Sequence, residues 1–128
     1  QDDMHHRIEQ TAKGIAASAG TTADVMINRQ YPSTYNDPEL TAKMMPTLQR
    51  VTNNNVLTPD LVTGAEDFAF YAQEIPGLFL FLGAAAPDAD VKSLPGNHSP
   101  LFDIHEPNME TGVRALSHLV IDYLAMSK

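Results

Sequence analysis

The sequence predicts a mixed α/β fold, and three patterns predict it. Apolar residues recur at helical spacing near both ends of the chain and again between Leu40 and Val51. An alternating apolar and polar run, Val25 and Ile27 against Asp24, Met26 and Asn28, leads into Tyr31-Pro32 as one strand closed by proline. The third pattern is Leu78-Phe79-Leu80-Phe81-Leu82, which has no alternation and therefore calls for cover on both faces, as in the interior of an α/β sheet.

Taken in order, Asp2 or Asp3 is the expected cap of a first helix carrying Met4, Ile8, Ala12, Ile15 and Ala19 on one face, ended by Gly20. The strand around Val25 and Ile27 follows. Ser33 to Pro38 is turn chemistry, and Asp37-Pro38-Glu39 supplies a capping carboxylate, a proline at the first helical position and an early acid for a second helix. Its apolar face is Leu40, Met44, Leu48 and Val51, and Pro46 inside it is expected to kink or shorten it. Asn53-Asn54-Asn55 reads as a turn, and Val56 to Val62 as a short extended segment broken by Pro59. Gly64-Ala65-Glu66-Asp67-Phe68 resembles a strand-to-helix junction whose helix stops at Ile75-Pro76-Gly77. After the apolar strand comes a loop from Ala84 to Gly96, then His98-Ser99-Pro100, and finally a helix with Met109, Val113, Leu116, Val120, Tyr123 and Leu124 along one face. Two or three strands are too few for a sheet covered on both sides, so the α/β architecture is expected to be incomplete as it stands.

Composition narrows the function. The chain's 128 residues include 16 acidic and 8 basic ones, for a net charge of −8, with no Lys/Arg cluster, which argues against nucleic acid as a partner. No apolar run is long enough to cross a bilayer, and the absence of cysteine removes disulfides, thiolate metal sites and a cysteine nucleophile. No membrane partner is expected. The expected compartment is the cytoplasm, with the true N-terminus not in view and export left open. Glycine-rich phosphate loops, a Gly-x-Ser-x-Gly elbow and a His-Glu-x-x-His pair are all missing.

His98 is the foremost chemical candidate, because it follows a glycine-containing loop after the apolar strand, where α/β proteins place ligands, and imidazole suits zinc, manganese or cobalt. A lone histidine is otherwise an ordinary surface residue. Glu66 and Asp67 point about 100° apart on a helix, so they either cap free amides or one of them supports a site. His105-Glu106 offers another His/acid pair or a solvated turn, whereas His5, His6 and His118 have no assigned role. Phe68, Phe70 and Tyr71 read as core rather than a stacking platform.

Four motifs in register resemble the dinuclear-metal amidohydrolases of the aminoacylase and carboxypeptidase metallopeptidases, a group with hippurate, N-acyl-amino-acid and indoleacetyl-amino-acid hydrolases. They are Tyr31-Pro32 with Asn36-Asp37, Gly64-Ala65-Glu66-Asp67-Phe68, Pro76-Gly77 with Leu82-Gly83, and His98-Ser99-Pro100 with Phe102-Asp103. The resemblance covers essentially the whole chain but only the last part of such an enzyme. It implies that residues 1–35 end a small α+β satellite domain serving as lid and dimerisation unit, and that residues 36–128 close an α/β/α catalytic domain. It implies His98 as the final metal ligand, with Gly64, Glu66, Asp67 and Ser99 lining or supporting the site. It implies a zinc, manganese or cobalt pair in the intact enzyme, a substrate that is an N-acyl amino acid or small peptide, a homodimer, and a metal-activated water deprotonated by a glutamate. The upstream ligands and that glutamate have no counterpart in this chain, and His105 stands where a carboxylate is common. The expected object is therefore a fragment, inactive alone and without a stably held metal, that needs its upstream part. The competing expectations are a self-associating module using the Val25 and Ile27 edge, and a small metal protein using His98, His105 and Glu106.

Overall fold

The computed structural model describes residues 1–126 and divides the chain into two compact units, Gln1–Pro32 and a second beginning at Ser33. The last two residues of the expected 36–128 portion lie outside the described residues.

In the first unit, α1 (Asp2–Ser18) ends in a Schellman motif around Gly20. Gly20 sits at φ +69°, its N–H donates to the Ala17 carbonyl, and Thr21 N–H reaches back to Ala16 at 3.0 Å. The expected caps are corrected: Gln1 occupies the cap position without a side-chain bond, and Asp2 and Asp3 lie inside the first turn, where they complement the helix dipole. Asp3 pairs with Arg7 at 2.9 Å, and Asp2 with Arg29, whose guanidinium holds the Asp2 carboxyl below its ordinary pKa. Arg29 Nε also donates to His5 Nδ1 at 3.2 Å. These bonds bring the extended residues after Gly20 back along α1. The lengths agree, since 17 helical residues at about 1.5 Å each and the stretch from Thr21 to Arg29 at about 3.3 Å each are comparable. Ala23, Val25 and Ile27 are half-buried and alternate with exposed neighbours, as the sequence pattern requires. They match a half-buried helix face of His5, Glu9, Ala12 and Ala16, so Met4, Ile8 and Ile15, expected on the covered face, are instead exposed. The small alanines let the extended chain lie close to the helix.

The second unit is built on α2 (Pro38–Val51) and α4 (Pro107–Met126), with the short α3 (Phe68–Glu74) and a single 3₁₀ turn, η1 (Val91–Ser93). The start of α2 follows the sequence: Asp37 Oδ1 accepts from Leu40 N–H at 2.8 Å with Pro38 in the first turn. Pro46 does not shorten the helix, because both it and Ala42, whose carbonyl it leaves without a helical donor, face solvent. Asn53 and Asn54 adopt left-handed φ values of 54° and 62°, turning the chain after α2. The core is small: Met44, Leu48 and Val51 of α2, Ala69 of α3, and the side chain of Thr47. Thr47 Oγ1 donates to Asp122 Oδ2 at 2.6 Å, and Arg50 reaches the same oxygen at 2.5 Å, locking α2 onto α4. The α4 face that packs runs through Thr111, Gly112, Ala115, Leu119 and Asp122. The apolar stripe expected to be covered, from Met109 to Leu124, is 45–66% exposed.

The α/β expectation is corrected in one respect. No strand forms among the described residues: 25–28, 56–62 and 78–82 are irregular or extended without a ladder. A ladder needs a second extended segment alongside, and none lies there. The segment 77–85 is held by side chains instead. Phe79 N–H donates to Asn36 Oδ1 at 2.7 Å, and Asn36 Nδ2 returns a bond to the Phe79 carbonyl at 3.0 Å, the same two groups a neighbouring strand would satisfy. Asp37 N–H adds a bond to Gly77. Phe79 meets Phe68 at 5.4 Å and the edge of Phe81 at 5.2 Å between ring centres, and Tyr71 lies 6.5 Å from Phe68, so the expected core of Phe68, Phe70 and Tyr71 is corrected: Phe68 and Phe79 are half-buried, whereas Phe70 and Tyr71 are exposed. Gly77 is closely packed: a Cβ there would stand 3.0 Å from the Phe68 ring and 3.3 Å from Ala72 Cβ, so the ring would have to give way by a few tenths of an ångström.

Two predictions follow from these contacts. The hydroxyl of Thr47, and then Arg50, hold the Asp122 carboxyl below its ordinary pKa. Its contribution to stability is therefore present above the unfolded value of about 3.9 and is lost as pH falls through the lower folded one. Asp122→Asn is expected to lower the melting midpoint at pH 7 and to flatten its acid dependence, so that the two proteins converge once the pH falls below the lowered pKa of Asp122, read by circular dichroism at 222 nm. Asn36→Ala removes both bonds to Phe79 and is expected to cost about 1–2 kcal/mol in urea unfolding, with Asn36→Asp intermediate because it keeps the acceptor and loses the donor.

Candidate functional site

His98 and Ser99 sit in the loop between the extended 77–85 segment and α4. Gly96 O accepts from Ser99 N–H at 2.9 Å, and Ser99 O accepts from Phe102 N–H at 3.1 Å, so the motif is two overlapping tight turns. Ser99 Oγ accepts from Leu101 N–H at 3.1 Å, which commits the hydroxyl to the turn geometry that Pro100 begins. His98 is exposed, with no hydrogen bond or ion pair to a protein group among the described residues. It is an imidazole presented on a short, locally fixed turn.

Glu66 and Asp67 separate into different roles. Glu66, half-buried, accepts from Phe68 N–H through Oε1 at 3.2 Å, satisfying an amide at the start of α3. Asp67 occupies the cap position in a helical conformation, makes no side-chain cap bond and is exposed. Both acids precede the first helical residue, Phe68, and of the two only Glu66 bonds a free amide of α3 through its side chain. Gly64 carries no positive φ, and a Cβ there would meet only Val62 at 3.8 Å, so nothing local requires glycine at that position.

No cluster of three or more His, Asp or Glu side chains that could hold a metal ion occurs among the described residues. His98 is not joined to Glu66, Asp67, His105 or Glu106 by any hydrogen bond or ion pair. His105, the second candidate imidazole, is half-buried and uses its backbone, donating to the Ala84 carbonyl at 2.8 Å. An open apolar groove of about 580 Å³ lies between α2, α4 and residues 75–78, lined by Leu40, Met44, Leu78, Leu119 and Tyr123 among others. None of the expected site residues lines it. Lys43 reaches over the Tyr123 ring at 4.7 Å.

Sequence reasoning named Asn36 only as part of a motif and passed over Asn108, and it missed their roles: their side-chain amides reach residues 43 and 23–25 positions away. The available signal was slight: each asparagine lies within two residues of a proline at a helix start, where a side chain carrying both donor and acceptor stands near free backbone.

Residues 4–122 match the model of peptidase family M20/M25/M40. The chain is 31% identical over 124 residues to YhaA of Bacillus subtilis, provisionally named an amidohydrolase, covering 96% of this chain and 31% of that protein. It is 32% identical over 122 residues to thermostable carboxypeptidase 2 of Saccharolobus solfataricus, covering 94% and 29%. It is 25% identical over 123 residues to the N-acetyldiaminopimelate deacetylase of Exiguobacterium sibiricum, covering 96% and 31%. The chain thus spans about a third of the length of the curated relatives it matches. No solved structure matches it.

The unequal roles of the two acids are open to measurement. Glu66→Ala is expected to destabilise the second unit by about 0.5–1 kcal/mol through the lost bond at the start of α3, while Asp67→Ala stays within about 0.5 kcal/mol of the parent in chemical denaturation.

Proposed function

The chain belongs to peptidase family M20/M25/M40, and on that premise we propose that it is the closing portion of a metal-dependent hydrolase that cleaves the amide bond of N-acyl amino acids or small peptides. The observation that carries this reading is the family match over residues 4–122, in a chain whose His98-Ser99-Pro100 turn presents an unengaged imidazole. The names of the relatives support the bond class, since carboxypeptidases and N-acetyl-amino-acid deacetylases both hydrolyse an amide next to an amino acid.

The metal is tested against the donor set. Catalytic zinc takes three protein ligands and keeps a position open, and the described residues bring no such set together, so this chain alone does not fit a metal centre. His98 is proposed as one ligand of a zinc, manganese or cobalt pair whose other ligands lie in further sequence. Asp67, free of cap duty, and Ser99, Gly64 and Glu66 are proposed to line or support that site. Residues 1–35 are assigned to a satellite domain and the remainder to an α/β/α catalytic domain, in which the extended 25–28 and 78–82 segments gain ladder partners. A homodimer through the satellite and a cytoplasmic location complete the reading; among the described residues no helix is long and apolar enough to cross a membrane.

A second reading, a non-catalytic module that self-associates through residues 25–28, draws on one observation: that segment is extended with no strand beside it, and Met26 is 89% exposed. Metal analysis and amide hydrolysis on this chain and on the longer enzyme separate the two. The chain alone is expected to retain no stoichiometric metal and to hydrolyse nothing. In the longer enzyme, His98→Ala is expected to lower metal content and turnover together by more than the roughly 10–100-fold that outer-shell changes cost, with an unchanged circular dichroism spectrum. Full activity in that variant overturns the ligand assignment.

A further inference from the structure

Between Ala86 and Ile104 every hydrogen bond recorded among the described residues spans three positions or fewer. Ala89 N–H bonds to Ala86, Ser93 to Asp90, Ser99 to Gly96 and Phe102 to Ser99, and the side chains of Asp90, Ser99 and Asp103 serve only neighbouring amides. Apolar anchoring is also sparse, with Val91 and Leu101 68% and 75% exposed. Such a loop has local shape without a fixed direction. A segment of this length with almost no regular structure is uncommon in a compact unit, and where it occurs it usually carries function.

Its direction is set at the neck. The two limbs meet where His105 N–H donates to Ala84 O at 2.8 Å, a single bond about which the loop could swing. Asn108 removes that freedom: its Nδ2 donates to Gly83 O at 2.8 Å and to Ala85 O at 2.9 Å, so both amide hydrogens are used on the two carbonyls flanking Ala84. The opposite amide orientation would set oxygen against two carbonyl oxygens, which fixes the assignment. Asn108 is the second residue of α4, and its own N–H bonds to His105 O at 2.9 Å. The grip is thus rooted in a 20-residue helix that the Asp122 contacts lock to α2.

We propose that Asn108 is the positioning residue for the loop that carries His98 and Ser99, closing its neck by donating to Gly83 and Ala85 and so setting where the His98 imidazole points. That the imidazole needs aiming rests on the metal-ligand reading above; the closure itself does not.

The chain contains no cysteine, so paired spin labels can be placed without background. Labels at Asn97→Cys in the loop and Ser117→Cys on α4 report the loop's direction, and labels at Gln49→Cys and Ser117→Cys report the α2 and α4 pair. With Asn108 present the loop pair is expected to give one narrow distance distribution by pulsed electron resonance. Asn108→Asp, which keeps the shape and loses both donors, and Asn108→Ala are each expected to broaden it at least twofold while the helix pair is unchanged. A broad distribution with Asn108 in place, an Asn108→Asp loop as narrow as the parent, or equal broadening in the helix pair overturns the proposal. His98→Ala is expected to leave the loop distribution unchanged. Failure of the ligand assignment is therefore read in the metal content of the longer enzyme and not in these distances.

Discussion

Each non-proline residue of an extended segment carries one donor and one acceptor, and where no second strand runs alongside, either water or side chains meet them; only side chains also fix the segment in place. That anchoring organises the second unit. Asn36 supplies Phe79 with the donor and acceptor of an absent neighbour, and Asn108 supplies Gly83 and Ala85 with donors. Both asparagines stand at helix starts, so the segment is pinned at one end by the entry to α2 and at the other by the entry to α4. Between those pins lie the contacts of the segment: Phe79 and Phe81 with Phe68, the close packing at Gly77, and Leu82 against Gly112 of α4, where a Cβ would stand 2.9 Å from the leucine.

The pins are useful only if the two helices keep their places. The buried core is too small to do this by apolar contact alone, with four buried hydrophobic residues in the whole described chain. The carboxylate of Asp122 adds direction: one oxygen receives the Thr47 hydroxyl, itself only 2% exposed, and the Arg50 guanidinium. A charged acceptor with a buried hydroxyl donor is stronger than a neutral pair and tolerates little displacement, so it sets the register of α2 against α4.

Local chemistry was legible in the sequence, and pairing was not. Asp37-Pro38, Gly20, the asparagine triplet and Ile75-Pro76-Gly77 act within a few residues of themselves, and each does in the structure what its covalent character dictates. The alternation at Val25 and Ile27 likewise survives as alternating burial. A strand, however, is a property of two segments, and apolar character at 78–82 reports the wish for a partner without supplying one. The same holds for α4, whose regular stripe marks a face suited to burial although a different face, carrying Gly112 and Asp122, meets α2. For the site, the turn at His98-Ser99-Pro100 was readable from its residues, while the division of labour between Glu66 and Asp67 depended on which carboxylate could reach Phe68 N–H. The asparagine grips left no periodic trace, because a single polar residue bonding across 43 positions has no pattern to repeat.

In the first unit, Arg29 bonds to Asp2 and His5, so the first turn of α1 and the end of the extended return are neighbours. Those bonds join residues up to 27 positions apart and lie on exposed side chains, so the return is fastened to the helix by charge as much as by apolar contact. One helix of 17 residues and one extended return of matching length thus form a clasp, turned at Gly20 and fastened at Arg29, whose fastened end is the one that salt loosens.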